Sequence, residues 1–416
     1  MQIDQIDTYL VRFPLKKPYT MADKPLTYID TVLLKMHKDG VSGWGEVFPG
    51  NEPTLTAAWS SAVYDCLEHS VLPRLSLHNG IESGGQLIET LQGIRGNRHS
   101  KAVVDLAWWD LSSRLKNEPL YKTLGGNKNE IEAGVTFDRY EKPELFLDDI
   151  RRAVNEGFKR ITLKIRPGWD LQVLGAVRSE FPTVMIQCDV EGSLRLDVHN
   201  DTIYRFDDFM PALLEQPLSD SEFVGHAMLQ DSLRTPIALD ESITNSHQAE
   251  IALDLRSCSV FCLKPGRTGG LTEAKTIYEL AKREEADCYI GTDITTSIGY
   301  RFAAALASLA GTLPTDYIRF DEYFENDPGV QLKPVLQPLP EKKKEEHTEG
   351  HTKRVEVHPD KDGKMSPQEV VEYDGTNVLD GESRLVLKLW DEPGIGFEPD
   401  EELIKRNILK HCCFKR

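Results

Sequence analysis

Residues 159–190 read KRITLKIRPGWDLQVLGAVRSEFPTVMIQCDV, in which two short apolar, β-branched runs flank an amphipathic stretch. This order of strand, helix and strand repeats from about residue 130 to about residue 325, which predicts parallel βαβ units. Eight strand candidates occur in order: EIEAGVTF (130–137), KRITLKI (159–165), VMIQCDV (184–190), PALLEQ (211–216), PIALDES (236–242), SVFCLKP (259–265), DCYIGTD (287–293) and DYIRFDE (316–322). About 25 residues per unit is the size expected of a closed βα barrel of the TIM type. An open doubly wound sheet is the alternative, but the chain has no GxGxxG turn after its first strand.

The chain before and after this repeat follows different patterns. Residues 1–127 begin with alternating, strand-like segments and continue with helical patterns, which predicts a separate α+β domain. From residue 334 a proline-bounded, highly charged stretch predicts an exposed or mobile segment. Two strand candidates follow it, RVEVH (354–358) and SRLVLKLW (383–390), and the chain ends in a helix-like pattern, DEELIKRNILKH (400–411).

The composition excludes several classes of function. The chain has 416 residues, with 67 acidic and 49 basic side chains, so its net charge is −18. This balance argues against nucleic-acid binding, which needs a basic face, and against adsorption to an anionic membrane. No apolar run is long enough for a transmembrane helix, and the N-terminus lacks a signal-peptide pattern. Seven cysteines without a metal-like spacing predict free thiols in a reducing cytoplasm.

One charged residue recurs at or near the end of five successive strand candidates. These residues are Lys164, Asp189, Glu215, Asp240 and Lys264, and each is 24–26 residues from the next. Because the carboxyl ends of barrel strands converge on one mouth, the spacing predicts three carboxylates side by side with a lysine on each flank. A single acidic residue after a strand is most often a helix N-cap, but five such residues at constant spacing favour an active site.

The residue types in this set indicate a particular chemistry. Three carboxylates on rigid strands make an oxygen-ligand site suited to Mg²⁺, or to Mn²⁺. Such a site can chelate a substrate carboxylate and stabilise the enediolate formed when the adjacent carbon loses a proton. A lysine near a divalent cation is expected to have a lowered pKa and could act as the base. Lysines on opposite sides could remove the proton from one face and return it to the other.

Several motifs resemble the enolase superfamily. They are LKIRPGWD (163–170), EQPL (215–218), LDES (239–242), LKPGRTGG (263–270), TSIG (296–299), DEYFENDPG (321–329) and GWGEVFP (43–49). The lysine at position 264 makes the chain similar to the muconate lactonizing enzyme subgroup. Within that subgroup the chain resembles o-succinylbenzoate synthase and N-acylamino acid racemase. The resemblance covers residues 1–333 and the tail from about residue 385.

The resemblance implies a (β/α)₇β barrel, residues 128–333, with an α+β capping domain built from residues 1–127 and 385–416; residues 334–384 would be a charged insertion. It implies that Asp189, Glu215 and Asp240 bind Mg²⁺ and that Lys164 and Lys264 form the acid/base pair. It also implies a mobile loop at residues 19–26 that closes over a small carboxylate substrate, and a homo-oligomer. Substrate contacts are expected from Tyr19, Met21 and Thr295.

The chain departs from the family pattern in four places. Thr162 stands where the Lys-x-Lys motif has a helper lysine, and Glu191 stands where the Asp-x-Asn motif has its asparagine. Thr295 stands where relatives usually carry a glutamate, and about 45 residues from about residue 340 are inserted. Glu191 could strengthen a metal site, repel an anionic substrate or point to solvent.

The expected function is a Mg²⁺-dependent isomerase or lyase that abstracts the α-proton of a carboxylate substrate. The reaction would be racemisation or epimerisation, elimination of water, or cycloisomerisation. The four departures motivate an alternative, a catalytically degenerate barrel that serves as a binding or scaffold protein. A metal-dependent aldolase or decarboxylase on an ordinary barrel is a third hypothesis, but it does not explain two lysines flanking three carboxylates.

Overall fold

A computed structural model describes residues 2–22, 24–76, 80–138, 143–338 and 383–415. The strands within these residues are β1 Gln5–Met21, β2 Lys24–Lys38, β3 Val41–Val47, β4 Glu130–Phe137, β5 Arg160–Lys164, β6 Met185–Asp189, β7 Leu213–Glu215, β8 Ile237–Leu239, β9 Val260–Leu263, β10 Asp287–Ile290, β11 Thr315–Asp316, β12 Pro334–Pro338, β13 Ser383–Lys388 and β14 Ile408–Lys415.

The α-helices within the same residues are α1 Ser60–Cys66, α2 Leu72–Ser76, α3 Gly84–Leu91, α4 Arg98–Leu115, α5 Leu120–Leu124, α6 Pro143–Asn155, α7 Leu171–Glu180, α8 Leu196–Tyr204, α9 Phe223–Ser232, α10 Ser246–Asp254, α11 Pro265–Thr268, α12 Leu271–Arg283, α13 Ser297–Ala307, α14 Phe320–Tyr323 and α15 Glu401–Arg406. A π-helical turn, Leu67–Val71, joins α1 to α2, and a 3₁₀ turn, Arg205–Phe209, follows α8. No helix of the described chain is long and apolar enough to span a membrane.

Eight parallel strands, β4 to β11, form the barrel. Neighbours from β4 to β10 pair in sequence order, and β11 pairs with β4 on the other side. The ring closes where the Thr315 hydroxyl donates to the carbonyl of Ile290 at 2.8 Å and Leu313 N donates to the carbonyl of Cys288 at 2.9 Å. Each of the first seven strands is followed by a helical connection, so the predicted (β/α)₇β fold is confirmed.

The last predicted barrel strand is much shorter than expected. The apolar pattern of residues 316–322 predicted a strand, but β11 ends at Asp316 and α14 begins at Phe320. Tyr317 and Phe320 pack edge-on against Tyr300. With this aromatic packing the chain leaves the sheet. The apolar side chains that suggested a strand therefore belong to an aromatic cluster beside the barrel.

An antiparallel sheet with the order β14-β1-β2-β3 forms the capping domain. Helix α4 packs across it very closely: a Cβ atom on Gly43 would lie 2.3 Å from Leu111 N, and one on Gly45 would lie 2.3 Å from the carbonyl oxygen of Val103. Only glycine allows this approach. The helix-like pattern predicted for residues 400–411 is partly wrong, because the helix ends at Arg406 and β14 follows, paired with β1.

A hairpin of β12 and β13 is joined to the barrel through strand β4. Strand β13 pairs antiparallel with β12 and with β4. The segment from residue 385 therefore begins in the barrel's sheet and reaches the capping sheet only at β14, which corrects the expected boundary. Residues 339–382, which include RVEVH and most of the expected insertion, lie outside the described residues.

A buried carboxylate connects the capping domain to the barrel through hydrogen bonds. Asp105 on α4 accepts hydrogen bonds from the backbone N–H of Thr272 at 3.0 Å and from its hydroxyl at 2.5 Å, at the start of α12. Burial raises the pKa of Asp105 from 3.8 to about 7, and the bonds from Thr272 offset only part of that effect.

We expect this carboxylate to make the protein less stable as the pH rises. The folded chain keeps the proton of Asp105 up to about pH 7, whereas the unfolded chain releases it near its ordinary value of 3.8. The free energy of unfolding should therefore fall as the pH rises from 3.8 to about 7. A pKa shift of this size corresponds to a loss of up to a few kcal/mol. Urea denaturation at pH 5 and pH 8 measures this, and Asp105→Asn should flatten the dependence. An unchanged slope in that variant would contradict the assignment.

Candidate active site

The ends of five successive barrel strands carry the recurring charged residues. Lys164, Asp189 and Glu215 are the last residues of β5, β6 and β7, while Asp240 and Lys264 directly follow β8 and β9. Lys164 pairs in register with Asp189, and Asp189 with Glu215. Because β5 to β9 are neighbours in this order, the three carboxylates lie side by side between the two lysines. Three strands lie between β5 and β9 in either direction around the eight-stranded ring, so the lysines face each other across the barrel.

Lys164 is held by two carboxylates. Its Nζ lies 2.9 Å from Asp189 Oδ2 and 2.5 Å from Glu191 Oε1. Arg166 stands behind this pair, with Nη2 3.8 Å from Glu191 Oε2 and 2.8 Å from Asp138 Oδ1. Glu191 therefore points neither to solvent nor away from the site: it is an ion-pair partner of Lys164.

Lys264 has a similar environment on the opposite flank. Its Nζ donates to Asp240 Oδ2 at 2.8 Å and lies 3.9 Å from Asp293 Oδ1. The guanidinium of Arg267, one turn further along α11, forms an ion pair with Asp240 and lies 3.8 Å from Glu241. Each lysine thus contacts one predicted metal ligand and one further carboxylate.

The protein's own charges move the pKa values of both lysines upwards. Burial alone would lower the pKa of Lys164, but Asp189 and Glu191 outweigh it. Burial likewise disfavours the charged form of Lys264, and Asp240 outweighs it in the same way. The lowered pKa expected from the sequence presupposed a neighbouring divalent cation, whose charge acts in the opposite direction.

A buried polar chain supports Glu215 from within the barrel. Gln187 Nε2 donates to Glu215 Oε2 at 2.5 Å. Arg160 Nη1 in turn donates to Gln187 Oε1 at 2.8 Å and to the hydroxyl of Thr162 at 3.2 Å. A buried guanidinium is therefore adjacent to Thr162, where the family pattern has its helper lysine.

The carboxylates fit a hard divalent cation. Burial and the neighbouring Asp189 and Asp240 raise the pKa of Glu215 well above its usual range, which is the effect of excess negative charge that a cation would balance. Glu215 and Asp240 each offer an oxygen within 4.8 Å of the other, in a group completed by the sulfur of Cys262. Asp189 is outside that group of atoms and directs Oδ2 toward Lys164. Carboxylate oxygens are the donors that Mg²⁺ prefers.

A cavity of about 480 Å³ opens above these residues, and Lys164, Asp189, Glu215 and Lys264 line it. Tyr19 and Met21 line the same cavity. The described residues of the segment expected to be a loop, 19–22 and 24–26, belong to the end of the β1–β2 hairpin, in which Tyr19 pairs with Leu26 and Met21 with Lys24.

Two of the residues expected at this site do not line the cavity. Asp240 is buried beneath it, between Lys264 and Arg267. Thr295 lies in a small neighbouring pocket with Glu46 and Gly299, so the expected substrate contact is not supported.

Sequence reasoning missed three contacts at the site. Arg267 stands in the motif LKPGRTGG, three residues after Lys264, and that helical spacing could have indicated it. Asp293 ends the seventh strand candidate and could have been read as a further strand-end carboxylate. No sequence signal links Arg160 to Gln187 and Glu215, because the three residues lie on different strands.

Fold and site together define an enzyme of the isomerase or lyase type, built on a capped βα barrel. The family model for the enolase C-terminal domain-like fold matches residues 146–403, and that for the mandelate racemase / muconate lactonizing enzyme N-terminal domain matches residues 5–125. The chain therefore belongs to the mandelate racemase / muconate lactonizing enzyme branch of the enolase superfamily.

Two individual relatives and one solved structure show which proteins the chain is similar to. The chain is 35% identical to an o-succinylbenzoate synthase of Geobacillus stearothermophilus over 319 residues, 76% of this chain and 84% of the relative. It is 32% identical to an N-succinylamino acid racemase of Thermus thermophilus over 345 residues, 82% and 93% of the two chains. A dipeptide epimerase from Cytophaga hutchinsonii, solved with Mg and the dipeptide D-Ala-L-Val, has the same fold, with a TM-score of 0.76, 20% identity and coverage of 99% and 100%.

Proposed function

We propose that the protein catalyses metal-dependent removal of the α-proton from a small carboxylate substrate, and that racemisation or epimerisation is its reaction. One observation supports this most directly: Lys164 and Lys264 face each other across one cavity, with the carboxylates between them. Proton removal from one face and return to the other needs this arrangement. Elimination of water or cycloisomerisation needs the same first step, and o-succinylbenzoate synthase among the relatives makes such a lyase the second candidate.

In this proposal each residue has a distinct task. Lys264 Nζ and Lys164 Nζ exchange the proton with the substrate's α-carbon from opposite sides. Asp189, Glu215 and Asp240 would hold Mg²⁺, or Mn²⁺, which when bound supplies a Lewis acid that stabilises negative charge on the substrate carboxylate. Tyr19 and Met21 cover the cavity and exclude water from the reacting atoms.

The departures from the family pattern leave this chemistry in place. Both lysines and all three carboxylates are present and adjacent, which argues against the alternative of a degenerate scaffold. The family and its fold also argue against an aldolase or decarboxylase that acts through a Schiff base. Free thiols at all seven cysteines agree with a cytoplasmic location, which stays a prediction, as does the homo-oligomeric state.

Incubation in D₂O tests the proposal. With Mg²⁺ and N-succinylamino acids or other α-substituted carboxylates, we expect the substrate's α-proton signal to disappear in the proton NMR spectrum. Chelation of the metal should stop the exchange, and added Mg²⁺ should restore it. If no acid in a broad library exchanges its α-proton while the protein is folded and supplied with metal, the proposal is wrong.

A further inference from the structure

Cys262 lies inside the barrel beneath the candidate active site. It precedes Lys264 by two residues at the end of β9, and residues two apart on a strand share a face. Its side chain is 1% exposed and packs in a small interior cluster with Leu213, Ala238 and Tyr289. A thiol is therefore placed directly under a group of carboxylates.

The thiol and two carboxylates converge on one point. The Cys262 sulfur, one oxygen of Glu215 and one oxygen of Asp240 all lie within 4.8 Å of one another. These separations suit a single ion, since zinc binds sulfur at about 2.3 Å and carboxylate oxygen at about 2.0–2.2 Å. All three side chains are buried, so an ion here would be shielded from solvent.

Two further observations indicate a confined, polar position. A Cβ atom on Gly291 would lie 2.5 Å from the Cys262 sulfur and 2.8 Å from Cε of Lys264, so only a glycine leaves room for the thiol at this point. The Tyr289 ring is buried in the same cluster, and its hydroxyl contacts Glu215. A further polar group therefore stands beside the carboxylates.

We propose that Cys262, Glu215 and Asp240 form a second, sulfur-containing metal site for thiophilic divalent cations such as Zn²⁺, Co²⁺ or Cd²⁺. The thiol releases its proton to solvent as the metal–sulfur bond forms. Soft thiolate ligands select such ions, whereas Mg²⁺ takes oxygen donors. The site shares Glu215 and Asp240 with the proposed Mg²⁺ site, so occupation by zinc withdraws two ligands from magnesium and inhibits the enzyme.

Cobalt titration of the full chain tests this inference without any substrate. Co²⁺ bound to a thiolate absorbs in the near ultraviolet through sulfur-to-metal charge transfer, and oxygen ligands give no such band. We expect the band in the unaltered protein and its loss in Cys262→Ala and Cys262→Ser. Zn²⁺ affinity in competition with Co²⁺ should fall at least about tenfold in these variants, since loss of even an outer partner of a metal site has effects of that size.

Cys258→Ala is the matched control, because this buried cysteine precedes β9 and has no carboxylate partner among the described contacts. It should keep the band, and circular dichroism should show all variants folded. A band that persists in Cys262→Ala, or an unaltered protein that binds Co²⁺ without the band or does not bind it, overturns the proposal. If α-proton exchange fails while the band appears, only the proposed function is wrong.

Discussion

Replacing Lys264 with methionine will abolish racemisation, and exchange of the α-proton will survive for only one enantiomer of the substrate. Lys264 and Lys164 face the cavity from opposite sides, so each can reach the proton of one enantiomer only. Loss of a positioned acid or base reduces the rate by about 10²–10⁴-fold. Proton NMR in D₂O on separate L- and D-substrates measures the effect.

Lys164→Met is the matched variant, and it should lose exchange with the other enantiomer. Lys122→Met, an exposed lysine of the capping domain, should leave both rates unchanged. Methionine keeps most of the side-chain volume, and Arg267 still neutralises Asp240 when Lys264 is replaced, so thermal melting should show the variant folded. Equal loss for both enantiomers in each variant would contradict two opposed bases and favour a one-sided elimination.

Replacing Asp110 with alanine will lower the free energy of unfolding by about 3–5 kcal/mol, the range seen when one partner of a buried charged pair is removed. Asp110 on α4 is fully buried. It accepts hydrogen bonds from the backbone N–H of Trp44 at 2.8 Å, from that of Ile395 at 2.7 Å, and from Nε of Arg114 at 2.9 Å. Alanine leaves all three donors without this acceptor, and it removes the side chain that links strand β3 to the C-terminal segment.

Urea denaturation at pH 8 measures this effect. Burial raises the pKa of Asp110 to about 6, despite the nearby Arg114, so the carboxylate is charged at that pH. Asp197→Ala is the control: Asp197 pairs with Arg195 on the exposed surface, and we expect its midpoint to stay where it is in the unaltered protein. A midpoint for Asp110→Ala that matches the control would show that water replaces the lost acceptor.

Local pattern was enough to predict the barrel and the location of its charged residues. Seven of the eight strand candidates overlap observed strands of comparable position, because alternating apolar runs and helices are short-range features. The recurrence of Lys164, Asp189, Glu215, Asp240 and Lys264 at 24–26 residues also followed from local spacing. In a barrel, the last residues of all the strands lie at the same end of the ring. Residues that recur once in each βα unit are therefore close together in space.

Features that depend on contacts between distant segments could not be predicted in this way. The pattern of residues 408–411 suited a helix, but pairing with β1 makes it a strand. Glu191 could be named as a departure, but only its approach to Lys164 shows which way it points.

The sequence by itself therefore determined seven of the eight barrel strands and the charged residues that stand at or next to the ends of five of them. The tertiary structure decided the partners of those residues: Asp293 beside Lys264, Thr295 outside the cavity, and Cys262 beneath the carboxylates. The physical reason is that strand and helix periods are set by neighbouring residues. The direction of a buried side chain is set by charges and close packing from parts of the chain that are far apart in sequence.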